Sequence, residues 1–174
     1  MRFRLLHPQP ADHTAFGGAS AGSRRSPLLN VLLTSGGWRE DAWSVAVPQI
    51  LGAQGVNIVQ ARSGVEASNL IRSVTVHIAI VDMALPLDGS TMGSEPGGVR
   101  VLQLLRRLEA PPPVIVVRPP QATRRESSRG LVDALLDGAF SVVDRPCHPE
   151  TMLRIMQRIM DRHFTQSRQQ ETKQ

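Results

Sequence analysis

His77-Ile78-Ala79-Ile80-Val81-Asp82-Met83-Ala84-Leu85-Pro86 is the stretch on which the reading of the whole chain turns. Two isoleucines and a valine in a short, unbroken apolar run indicate a strand buried on both faces, the kind found in parallel sheets. Asp82 marks the point where that strand surfaces, and Pro86 then turns the chain into a loop. A carboxylate at the carboxyl end of a central parallel strand lies in the crevice where open α/β sheets place their chemistry. An aspartate that only caps the following loop is the plainer alternative, and the neighbouring segments have to decide between the two.

Working outward, the same grammar repeats. Leu28-Leu29-Asn30-Val31-Leu32-Leu33 is a buried strand ended by Thr34-Ser35-Gly36-Gly37. A helical period runs from Arg39 to about Gln54, with Pro48 inside it, so either the axis kinks there or the first half is loop. Val56 to Ala61 is a strand and Ser63 to Arg72 a helix with a serine cap. After Asp82 comes a Gly/Ser/Pro loop from Leu87 to Gly97, then an amphipathic helix through Val99, Val101, Leu102, Leu104, Leu105 and Leu108. Pro113 to Arg118 is the fourth strand, Glu126 to Leu136 a helix, and Phe140 to Val143 a short fifth strand. The last helix opens at Pro149 and carries Met152, Ile155, Met156, Ile159, Met160 and Phe164 towards the core or a partner. Five strands alternating with five helices predict a doubly wound parallel sheet of flavodoxin-like (βα)5 type, order 2-1-3-4-5, which sets Thr34 and Ser35 beside Asp82.

The flanks read differently. Residues 1–27, rich in Gly, Ala, Ser, Pro and Arg, form a flexible arm, 28–164 the folded domain, and 165–174 a polar tail. Arg2 and Arg4 precede only Leu5-Leu6 before His7 and Pro8, too little for a secretory signal, and nothing approaches a membrane span. The glycines from 17 to 22 lack the lysine and the preceding strand of a phosphate loop. A single cysteine, Cys147, excludes an internal disulfide framework and points to a cytoplasmic setting. The net charge of +5 raises the question of nucleic acid, but the arginines are scattered, Tyr is absent and Phe and Trp are few, so no stacking platform is present.

Asp82-Met83-Ala84-Leu85-Pro86, Gly98 opening a helix, Pro113-Val114-Ile115-Val116-Val117, Asp137-Gly138-Ala139 and Arg145-Pro146 together resemble the receiver domain of bacterial two-component response regulators. The resemblance covers about Leu28 to Phe164. It implies a phosphoryl-accepting Asp82, an acidic pair after the first strand to hold Mg²⁺, a Thr or Ser ending the fourth strand, an aromatic switch residue in the fifth, and a lysine before the proline.

This chain departs from that pattern at each of the auxiliary positions. Thr34 and Ser35 stand where the acidic pair belongs, Arg118 at the Thr/Ser position, Val142 at the aromatic position and Arg145, followed by Pro146, at the lysine. The only lysine of the chain, Lys173, is in the tail. Mg²⁺ demands several hard anionic oxygens, so no cofactor is expected and metal binding through Asp82 should be weak or absent. Glu40 and Asp41 come too late in sequence to replace the pair and suit a helix start. Arg118 and Arg145 are either solvated or paired with Asp82, with Arg145 the first choice and Arg118 the second; Thr34-Ser35-Gly36-Gly37 is a hydroxyl-capped turn or, alternatively, a backbone cradle for an anion.

Three function classes follow. The first is an atypical receiver, not an enzyme, that works without phosphorylation as an interaction module for a signalling protein such as a histidine kinase or an output protein. The second is a single-domain response regulator phosphorylated slowly on Asp82. The third is a binder of small ligands or nucleic acid through the basic rim. The resemblance further implies a pairing face, here bordered by Val132, Leu135, Ile155 and Ile159, through which a weak homodimer is expected.

Overall fold

In a strand, consecutive side chains point to opposite faces, and the apolar runs of this chain use both. The computed structural model describes residues 29–36, 42–88, 96–120 and 138–164, together with 123, 125 and 128. Strands β1 (Leu29–Thr34), β2 (Val56–Ala61), β3 (Ile78–Asp82), β4 (Val114–Arg118) and β5 (Ser141–Asp144) form one parallel sheet. Its order is β2-β1-β3-β4-β5, as the alternation of elements predicts. Helices α1 (Ala42–Ala53), α2 (Gly64–Ser73), α3 (Gly97–Arg106) and α4 (Pro149–His163) cover it.

The two faces make two cores. Val31, Leu33, Ile78, Ile80, Ile115, Val117 and Val143 pack with Trp43, Val47 and Leu51 of α1 and with Met152, Ile155, Met156 and Ile159 of α4. Leu32, Ala79, Val81, Val114 and Val116 pack with Ala67 of α2 and with Val101, Leu102 and Leu105 of α3. Every residue of β3 and β4 is buried, which is why these segments read as unbroken apolar runs.

The helices begin and end for local reasons. Ser63 caps α2, its hydroxyl accepting from the Glu66 N–H, while Glu66 Oε2 accepts from the Arg62 N–H at 2.7 Å. Helix α1 continues through Pro48, so the loop alternative does not hold there. Cys147 is buried, its thiol directed at the His148 carbonyl.

The interaction face needs correction. Ile155 is 8% exposed and Ile159 fully buried, both inside the core beneath the sheet. An amphipathic stripe shows only that one side of a helix is buried, and here α4 spends these residues on its own sheet. Val132 and Leu135, the 126–136 segment apart from residue 128, Glu40 and Asp41, the arm and the tail lie outside the described residues. Among the described residues, no helix is long and apolar enough to cross a membrane.

Candidate functional site at the end of strand β3

Asp82, last residue of β3, is fully buried. A carboxylate withdrawn from water needs donors or a counter-charge, and the surrounding segments supply both. Gly36, two residues past β1, donates its N–H to Asp82 Oδ2 at 2.9 Å. The Ala84 N–H donates to Oδ1 at 2.9 Å. Arg145, just beyond β5, places Nη2 2.7 Å from Oδ2, with a side chain only 12% exposed. Oδ2 therefore has both lone-pair directions engaged.

Thr34 works on the main chain. The β1–β3 ladder is in register through Leu33 and Ile80, and Asp82 then pairs across to β4 at Val117. Beyond Leu33 the Thr34 hydroxyl takes over, accepting from the Asp82 N–H at 2.8 Å and donating to the Ile80 carbonyl at 3.3 Å. Ser35 acts through its backbone, its N–H donating to the Ala61 carbonyl at 3.1 Å. The cradle of Gly36 and Ala84 N–H groups is thus filled by the protein's own carboxylate.

Side-chain parity separates the two arginines. In the β3–β4 register Asp82 lies opposite Val117, so Arg118, one residue on, points to the other face of the sheet. There its Nε and Nη2 meet Asp144 Oδ1 at 2.9 and 2.7 Å. Arg145 follows Asp144 and returns to the face of Asp82, after which a cis peptide leads to the exposed Pro146. Val142 pairs in register with Val116 and packs into the α2–α3 core, away from the carboxylate. The Asp144 side chain is 39% exposed, so solvent screens its pair. Arg118→Ala is expected to cost about 1 kcal/mol, read from a small shift of the urea midpoint.

Among the described residues, those around Asp82 do not fit a magnesium ion. Two N–H donors and a guanidinium point at Asp82, where a cation would require oxygens, and Thr34 spends its hydroxyl on the main chain. Among the described residues, no group of three His, Cys, Asp or Glu side chains is placed to hold a metal.

The backbone donors of Gly36 and Ala84 carry no residue signature and are not individually legible in sequence. Gly98 is. A Cβ there would meet the Asp82 carbonyl oxygen and come within 2.7 Å of the Met83 Cα, and one on Gly97 would lie 2.8 Å from the Pro86 carbonyl carbon. Helix α3 is thereby pressed directly onto the turn after Asp82, with the Gly97 N–H bonded to the Leu85 carbonyl at 2.7 Å.

With this geometry in view, the solved structures can be compared. A two-component response regulator from Clostridium difficile superposes with a TM-score of 0.60 at 16% identity, covering 79% of this chain and 99% of that one. A CheY-like response regulator receiver domain protein from Methanospirillum hungatei JF-1 gives 0.58 at 22% identity, covering 77% and 94%. The non-phosphorylated HemR receiver domain from Leptospira biflexa gives 0.55 at 21%, covering 76% and 94%. The chain has the receiver fold. No protein-family model and no curated protein matches its sequence. The receiver fold accounts for the sheet order and for the place of Asp82 at the end of the central strand.

Proposed function

We infer that this chain is a receiver-type module of two-component signalling that acts through protein contacts and not through a phosphoryl group on Asp82. The observation that carries this reading is the bonding of Asp82 Oδ2, which accepts from Gly36 N–H and from Arg145 Nη2. A carboxylate oxygen attacks a phosphoryl donor through a lone pair, and charge-assisted bonds withdraw that pair. The metal that would offset the donor's charge has no ligand set among the described residues. What remains is a rigid scaffold of the signalling fold, whose output passes through its surface to a protein partner. The reading as a binder of anions or nucleic acid gains nothing from the edge, since Arg118 and Arg145 are neutralised by Asp144 and Asp82.

Incubation of the full chain with acetyl phosphate and Mg²⁺, followed by intact-mass measurement, tests this. An unchanged mass is expected, as is a melting temperature that does not respond to millimolar Mg²⁺. A gain of one phosphate, lost in Asp82→Asn, would return the chain to the phosphorylated class.

A further inference from the structure

Helix α4 carries Arg154, Arg158 and Arg162 at intervals of four residues, all of them exposed. At about 1.5 Å and about 100° per residue they span about 12 Å of the axis within about 80° of arc, so they form one continuous stripe. The side of α4 that faces α1 is taken by Leu153, Met156 and Met160. The stripe lies on the opposite flank, towards the edge strand β5, where Arg162 Cζ stands 6.0 Å from the centroid of the Phe140 ring. Like charges at this spacing work against a helix, and α4 has the means to offset them. Glu150 precedes Arg154 by four residues, the favourable order for an ion pair, and Asp161 follows Arg158 by three. Neither is used in that way: the Asp161 carboxylate accepts instead from Gln157 Nε2 at 3.0 Å. Among the described residues, the three guanidiniums form no ion pair, whereas Arg118 and Arg145 each have a carboxylate.

We propose that this stripe is the docking surface for an acidic helix of a partner protein, one whose carboxylates recur every four residues. The proposal rests on the reading of the chain as an interaction module and names the chemistry of its partner. Charge complementarity selects the occupant. A helix with acidic residues at i, i+4 and i+8 has the same repeat of about 6 Å, so each planar guanidinium can take one carboxylate through two parallel N–H···O bonds. A second copy meeting this face through its own α4 would set arginine against arginine. Phe140, His163 and Phe164, the rings next to the stripe, are engaged with one another and with Arg162, which leaves no open platform there for stacking bases.

The test titrates the full ¹⁵N-labelled chain at low salt with an alanine-rich helical peptide carrying glutamate at three successive i, i+4 positions, and with the same peptide carrying glutamine there. Amide shifts confined to 151–163 and Phe140 are expected with the glutamate peptide alone. Arg154→Gln with Arg158→Gln and Arg162→Gln should weaken binding about tenfold, while Arg100→Gln with Arg107→Gln, exposed on α3, should weaken it far less. Equal losses in the two variants, which would mean diffuse attraction, or no amide response, overturn the proposal. So does tighter binding of a duplex oligonucleotide through the same three arginines, or a wild-type dimer in light scattering that the α4 variant abolishes, which would mean a second copy. Phosphorylation is read separately: a gain of one phosphate with the peptide still bound overturns the reading given under the proposed function alone, and an unchanged mass without an amide response overturns this one alone.

Discussion

Arg145→Ala is expected to destabilise the fold by about 3–5 kcal/mol, because it strands a fully buried carboxylate whose remaining donors among the described residues are the Gly36 and Ala84 N–H groups. Native stability is typically about 5–15 kcal/mol, so one substitution would remove a large fraction of it. Urea unfolding of Arg145→Ala, Asp82→Ala and the double variant separates the pair from its parts. The double variant should cost clearly less than the sum of the singles, since removing both charges leaves neither uncompensated. Strictly additive losses would mean that the 2.7 Å contact of Arg145 Nη2 with Asp82 Oδ2 contributes nothing in solution.

The second large effect lies where α3 meets the turn after Asp82. Gly98→Ala introduces a Cβ against the Asp82 carbonyl oxygen and the Met83 Cα, both main-chain atoms that cannot rotate aside. Overpacking of this kind typically costs about 1–3 kcal/mol, and the upper end is expected because the obstruction is backbone. Gly52→Ala is the matched control. A Cβ at Gly52, in α1, meets nothing within 4 Å, so the higher helix propensity of alanine should leave stability unchanged or raise it by up to about 1 kcal/mol. Opposite shifts of the two urea midpoints check the pair, and a Gly98→Ala midpoint at or above that of the wild type would contradict the close approach of helix and turn.

Much of the fold was legible because the strands announce themselves. The β3 run ending at Asp82, the Val56–Ala61 strand and the Ser63 cap follow from residue type and spacing alone, and right-handed crossover connections then leave few sheet orders open. The site was legible in part. The ends of four strands bring Thr34, Asp82, Arg118 and Arg145 to one edge, but which arginine meets the aspartate depends on side-chain parity across β3, β4 and β5. That parity rests on the register of Asp82 with Val117, which sequence does not give. The Thr34-Ser35-Gly36-Gly37 turn was open to two readings, a hydroxyl cap and an anion cradle, and the structure combines them: Thr34 bonds the main chain of β3, and Gly36 holds a carboxylate from within the protein. The resemblance sets Ile155 and Ile159 at a pairing face and the helical stripe alone leaves core and partner open, because a stripe tells how much of a helix is covered and not by what; both are buried against the sheet.

The two bonds of the Thr34 hydroxyl also bear on how this site can change by mutation. Thr34→Asp, the first step towards an acidic pair, removes the only kind of group at that position that can both accept from the Asp82 N–H and donate to the Ile80 carbonyl. An ionised aspartate donates nothing, and it would add a like charge beside one already buried. Arg145→Lys leaves that penalty in place, and an acidic pair introduced while Arg145 remains would compete with Asp82 for the guanidinium. Each single step towards a metal centre thus passes through a less stable protein, and only several changes together would reach it. The threonine acts as a latch: while its hydroxyl does the work of the strand ladder, single substitutions hold the sequence near the arrangement it has.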